Sequence, residues 1–310
     1  MTVIAPEIIC THEGDLDGLL SALLLRRLAK KRFGLAPRIE AFHNNYWKSR
    51  NPGEKVSWIT DLAFEKRLDR PHWMVVDHHP PECAPLHAKL VHDAAKSSGL
   101  LSYELCLEEG LGSEVLARLV HLNNVSDLFL DADPEFDLAC DYAHLVKIYG
   151  FWNVFQLIEG EPERLLHHPL LEVMEVKRRV EDPLGYEWSR GKIESLGPGV
   201  AWVPTTVGNP NLIVHRMLKD PSNPYPVLVT LFRKGNGTML ASFRSRGGQA
   251  LAAAVAVQGG GHPNAAGATL PKSINSAGEA ARYLRVQLTG KIKPVAAEGK
   301  DDLEQAFKDI

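Results

Sequence analysis

Long apolar runs are missing from this chain. No window approaches the roughly 20 uninterrupted apolar residues that a membrane helix needs, and the apolar stretch near the amino terminus is short and contains Glu7. A spanning or exported protein is therefore not expected, and the expected location is cytoplasmic. Cysteine is scarce as well. The four present, Cys10, Cys83, Cys106 and Cys140, form no CxxC pair and no dense framework, which excludes a disulfide scaffold and fits small buried hydrophobes in a reducing compartment. An excess of one charge is also lacking. With 35 Lys+Arg against 38 Asp+Glu the formal net charge is -3, which argues against an extended footprint on long duplex nucleic acid but leaves room for a local basic pocket holding a short anion. Internal repeats and low-complexity blocks are absent. What remains is ordinary globular composition, 45% hydrophobic and 24% charged over 310 residues, enough for about two domains of roughly 150 residues each.

The first half alternates strand and helix signals. Ile8-Ile9-Cys10-Thr11 reads as a strand. A polar segment from His12 to Asp17 follows, then a helix from Gly18 to about Phe33 that stops at Gly34. Ala36 to Phe42, Val56 to Thr60 and Trp73 to Val76 are further strands, and each of the last two runs straight into an aspartate. The implied class is α/β, with a mostly parallel sheet covered by helices on both faces and a smaller α/β carboxyl-terminal domain. In such sheets ligands sit at the carboxyl ends of the strands. Helical periodicity dominates from Ser97 to Leu130 and from Asp137 to about Val180, with interruptions near Gly160 and Pro162, at Pro183 and at Gly197-Pro198-Gly199. The expected organisation is a catalytic domain at 1–180, a linker at 181–207, a substrate-binding domain at 208–290 and a charged tail at 291–310. Within the second domain, Tyr225 to Arg233 and Thr238 to Arg244 flank Lys234-Gly235-Asn236-Gly237, a hairpin signal. A helix is expected from about Gly248 to Val257.

Three acid-bearing segments fall at the strand ends: His12-Glu13-Gly14-Asp15-Leu16-Asp17-Gly18, Thr60-Asp61-Leu62 and Asp77-His78-His79. Asp15 and Asp17, two apart, point the same way in an extended loop. His12, Asp15 and Asp61 would hold one metal ion, and Asp17, Asp61 and His78 its neighbour, with Asp61 bridging. Asp127 supplies a fourth acid, although Asp131 and Asp133 lie close to it, and Glu13 is a further acid within reach of the first ion. Four carboxylates carry the charge of two divalent cations, and without metal they would repel and take up protons. Oxygen and imidazole ligands without thiolate fit manganese, with magnesium as the alternative, better than structural zinc. Two such ions are an apparatus for hydrolysing phosphate esters or anhydrides.

In order along the chain, His12-Asp15-Asp17-Gly18, Asp61, Asp77-His78-His79 and Asp127 resemble the four motifs of the DHH phosphoesterase family. The second half resembles the carboxyl-terminal domain associated with it, through Gly259-Gly260-Gly261-His262. The resemblance spans about residues 8 to 270. It implies a two-ion manganese centre, with His78 a ligand, His79 facing substrate and Asp77 supporting the site. Family members include nano-RNases, phosphoadenosine-phosphate phosphatases, single-strand exonucleases and manganese pyrophosphatases. The second domain then reads as a substrate clamp: Arg244, Ser245 and Arg246 donate to phosphate, and Gly259, Gly260, Gly261 and His262 let the backbone approach an anion. Its cleft against the first domain is the expected active site. The expected protein is an enzyme, a phosphohydrolase cleaving a short oligoribonucleotide or phosphoadenosine phosphate. Alternatives are a pyrophosphate or polyphosphate hydrolase and a non-catalytic nucleotide sensor. The expected partner is a short nucleotide; a homodimer is left open.

Overall fold

A computed structural model of the chain describes residues 4–234 and 237–290. The expected tail at 291–310, and Gly235-Asn236 of the hairpin loop, lie outside the described residues. The chain divides into two compact units, Met1–Glu175 and Val176–Ile310.

In chain order the first unit holds β1 (Ile8–His12), α1 (Leu16–Phe33), β2 (Arg38–Phe42), α2 (Asn44–Ser49), β3 (Ser57–Thr60), β4 (Met74–Asp77), β5 (Lys89–His92), α3 (Ser98–Glu108), α4 (Glu114–Asp127), α5 (Phe136–Tyr149), α6 (Phe151–Leu157) and the start of α7 (Leu170–Arg190). Its five strands form one parallel sheet in the order β2-β1-β3-β4-β5. Parallel strands must be covered on both faces, and the cover differs between them. On one face lies α1, whose leucines from Leu16 to Leu28 are buried nearly all round. On the other, α2 and the loop after β3 close a cluster in which Trp47, Phe64 and Leu68 pack on Ile8, Cys10, Ile59 and Val75. Asp15 caps α1, accepting the Gly18 N–H at 3.1 Å, and Gly34 ends it in the left-handed region, at φ 71°. Lys30, Lys31 and Arg32 in its last turn complement the helix dipole.

The second unit contains β6 (Glu194–Gly197), β7 (Val200–Trp202), α8 (Pro210–Lys219), β8 (Val227–Arg233), β9 (Met239–Ser245), α9 (Gln249–Val255), β10 (Gly260–Gly261), β11 (Ala265–Thr269) and α10 (Ala277–Thr289). They build a mixed sheet in the order β10-β11-β9-β8-β7-β6, antiparallel except between β7 and β8.

Two sequence expectations change here. The segment 181–207 is structured: it contains the end of α7, β6 and β7, and Gly197-Pro198-Gly199 is the tight turn joining those strands, with Gly199 at φ 70°. Pro183 does not interrupt α7. It stands at an exposed position, where the helix carbonyl it leaves unbonded can be hydrated. Among the described residues no helix is long and apolar enough to cross a membrane, and all four cysteines are free.

Candidate metal centre

Sheet register assembles the site. Cys10 pairs with Ile59, and Ile59 with Val75. In a parallel sheet, aligned residues share a face, and so do residues two further on. His12, Asp61 and Asp77 each stand two positions after these three, so one row at the carboxyl ends of β1, β3 and β4 carries an imidazole and two carboxylates. The period of two that buries Cys10 and Val75 thereby puts His12 and Asp77, the last residues of β1 and β4, on one face, and Asp61 follows β3 directly. Asp61 lies just beyond β3 in the left-handed region, at φ 54°, tied back by its N–H to the Val76 carbonyl at 3.2 Å. A non-glycine residue there is strained, and aspartate is among the few that tolerate it.

His12 Nδ1 is 2.9 Å from Asp15 Oδ2 and 3.6 Å from Asp61 Oδ2. These three residues can present one ligand atom each within 4.8 Å of one another. A second such group is Asp17, His78 and Asp127, and a third is Asp61, His78 and His79. His78 Nε2 lies 3.4 Å from Asp127 Oδ2 and 3.8 Å from Asp61 Oδ1. All six proposed metal ligands, His12, Asp15, Asp17, Asp61, His78 and Asp127, therefore fall into linked groups, with Asp61 in two of them. Asp15 and Asp17 do not lie in an extended loop as expected. They open α1, Asp15 as its cap and Asp17 in its first turn, and they enter different groups. Glu13 turns to His43, 3.5 Å away. Asp133 joins His121 and Glu135 in a separate, more exposed group.

The electrostatics are those of a site short of positive charge. Burial opposes ionisation of His12, yet Asp15 and Asp61 outweigh it and push the imidazole up to about 11. Burial would likewise raise Asp15, but its ion pair with His12 holds it below the usual carboxylate range. Asp61 is driven well above that range by burial and by Asp15 and Asp17; Asp127 is raised too, by burial and by Asp17 and Asp61. Burial, then His79 alongside, lowers His78. Asp61 Oδ2 and Asp127 Oδ2 are buried with no hydrogen-bond donor. Such orphaned carboxylate oxygens are costly without a cation, so the donor set fits divalent metal.

Asp77 is fully buried, and its carboxylate accepts from His79 twice, at 2.8 Å from Nδ1 and 3.1 Å from the backbone N–H. Although burial opposes the charge, this bond raises His79 to about 9, and its side chain is 35% exposed, open to a ligand. Asp77 thus acts by orienting His79. Asp77→Asn should cost about 10- to 100-fold in turnover while the bound metal per chain stays constant, which metal analysis beside steady-state kinetics would check.

Sequence reasoning missed what holds Asp17. Its carboxylate accepts the N–H groups of Ser98 (2.9 Å) and Gly99 (2.7 Å) at the start of α3 and the Asn123 amide (2.6 Å) on α4. Asn123 also donates to Ser97 Oγ at 3.1 Å. Ser97 as a capping residue was the available signal, but its partner lies some eighty positions away.

In the second unit, Arg244 on β9 has a buried Nε without a partner, and burial lowers its basicity with no carboxylate to offset it. Arg246 is exposed. Ser245 is occupied structurally: its hydroxyl accepts the Ala250 N–H at 2.9 Å and lies 3.3 Å from both the Pro263 carbonyl and Asn264 Oδ1. The Gly259 N–H closes α9 on Ala254 at 2.8 Å, and a Cβ there would meet the Gly267 carbonyl at 2.3 Å. Close packing, not an open anion nest, is what demands that glycine. Gly260 and Gly261 pair with β11, and the His262 N–H donates to Ala265 at 2.9 Å.

Residues 206–286 match the DHHA1 domain family. Over 92% of its length the chain is similar in structure to a pGpG-specific phosphodiesterase, PggH, from Vibrio cholerae, 99% of which is covered, at 14% identity and a TM-score of 0.51. Over 93% of its length it is similar to RecJ in complex with Mn2+ from Thermus thermophilus, at 17% identity and a TM-score of 0.52, and it spans about half (52%) of that protein. No curated protein sequence matches. At these identities the likeness establishes the fold alone, shared with these two proteins, and residues 206–286 carry the match to the DHHA1 domain family.

Proposed function

We propose that this protein is a phosphoesterase that uses two divalent metal ions, manganese first among them, to hydrolyse a short phosphodiester or a nucleotide phosphate. The observation that carries the reading is the convergence of Asp15, Asp17, Asp61 and Asp127 with His12 and His78 at the carboxyl ends of β1, β3 and β4, leaving buried oxygens of Asp61 and Asp127 without donors. His12, Asp15 and Asp61 would hold one ion and Asp17, His78 and Asp127 the other, Asp61 being placed to reach both. Bound there, the ions would lower the pKa of a water and neutralise charge developing on phosphorus.

The chain's own residues supply the rest. Fixed by Asp77, whose hydrogen bond raises it to about 9 in the metal-free protein, His79 can donate a hydrogen bond to a phosphoryl oxygen of the substrate. Ser98, Gly99 and Asn123 keep Asp17 from turning away. Arg244, partly buried with its Nε unpartnered among the described residues, is suited to an anionic group of the substrate, with Arg246 two positions on and Gly260-Gly261 on the far side of β11 in the same sheet. The division into a catalytic part and a substrate-binding part, and a cytoplasmic location for a chain with free thiols, belong to the same proposal.

The direct test is a manganese-supplemented panel of dinucleotides, phosphoadenosine phosphate, pyrophosphate and polyphosphate. Turnover of a phosphoester is expected; turnover of the inorganic anhydrides alone would replace the reading, and inactivity on all would remove it. Arg244→Ala should raise KM about tenfold or more, the size of a lost charge-assisted contact, and affect kcat less. A loss of bound metal instead would contradict the role given to Arg244.

A further inference from the structure

Resting on the phosphodiesterase reading, we propose that Tyr46 is a nucleobase platform beside the metal centre, the surface on which a base of the substrate stacks. The β1–β2 register sets Phe42 directly opposite His12, so the two share a face with their Cα atoms roughly 5 Å apart. The Glu13 N–H, next to His12, donates to the Phe42 carbonyl at 3.0 Å and fastens the loop carrying the first acids to this strand end.

Phe42 is buried and held from several sides. The Trp47 ring is 5.3 Å away, centroid to centroid, and the Arg50 guanidinium carbon stands 5.1 Å over the Phe42 ring. Tyr46 stacks on this fixed ring at 6.0 Å with an interplanar angle of 17°. Its neighbours Phe42 and Trp47 are 6% and 2% exposed, whereas Tyr46 is 66% exposed. The Tyr46 ring is therefore oriented by an offset contact with a fixed ring and left largely exposed, on the helix that follows the strand whose last residue pairs with a proposed metal ligand. A pre-oriented aromatic face accepts any base, because every base presents a π-face, and it does so at little entropic cost.

The test is calorimetric titration of the manganese-loaded full-length protein with AMP and with ribose 5-phosphate, which share sugar and phosphate and differ by the base. The wild-type protein should bind AMP about tenfold more tightly, the scale of one stacked base. Tyr46→Phe should keep that preference, and Tyr46→Ala should reduce it to within about twofold. Tyr46 is largely exposed, so both variants are expected to fold. An undiminished preference in Tyr46→Ala, or none in the wild type, overturns the proposal. Failure of the underlying reading looks different: no turnover of any phosphoester, with the AMP preference and its dependence on position 46 intact.

Discussion

Asp61→Asn is expected to lower turnover on the order of a thousandfold, the cost typical of removing a central electrostatic element from an active site, without unfolding the protein. Asp61 is 4% exposed and takes part in two of the ligand groups. The variant loses a carboxylate that would help hold bound metal. Its effect on the metal-free fold has the opposite sign. Burial and the neighbouring carboxylates Asp15 and Asp17 oppose ionisation of Asp61, so a neutral amide of the same shape relieves repulsion, and the metal-free variant should melt at or above the wild-type temperature. Steady-state kinetics with manganese and thermal melts with chelator check the two halves. A variant that is both active and unaltered in melting would remove Asp61 from the centre.

Manganese itself should stabilise the protein by ~4 kcal/mol at a thousandfold excess over Kd, or about 10 °C in Tm for a unit of this size. The gain should grow with pH. His12, Asp61 and Asp127 all have raised pKa values in the metal-free fold. The stability these protonated groups contribute is fully present below their unfolded values and declines as pH rises through their folded ones, starting from roughly pH 4 for the two acids. Metal ligation requires the same groups deprotonated, so binding releases protons and tightens with pH. Titration calorimetry in buffers of different ionisation enthalpy counts them directly. Uptake of protons, or a stabilisation that shrinks from pH 6 to pH 8, would be inconsistent with this donor set.

Much of this architecture was legible because local rules and global packing agree in the first unit. Ile8 to Thr11, Val56 to Thr60 and Trp73 to Val76 are apolar runs that end in polar residues, and the strands lie there with His12, Asp61 and Asp77 at their ends. Gly34 stops α1 where a left-handed residue was needed. The hairpin strands β8 and β9 fall where alternation placed them. What was not legible lacks a local signal. The edge strand β5, Lys-Leu-Val-His, is only partly buried and so carries little apolar pattern; β6 and β7 are short and glycine-flanked, which reads as a connector. The partners of Asp17 come from α3 and α4, far along the chain. In the second unit, Ser245 and Gly259 have the residue types of an anion site, yet their polar groups serve the fold. A hydroxyl or glycine satisfies either need equally well, and composition does not separate them.

The central claim is that the clustered acids and imidazoles hold a pair of divalent cations. Crystals soaked in manganese and measured for anomalous scattering test it most directly. Two peaks are expected, one among His12, Asp15 and Asp61 and one among Asp17, His78 and Asp127. A folded protein with no peak there, or with manganese only at the exposed His121, Asp133 and Glu135 group, would contradict it.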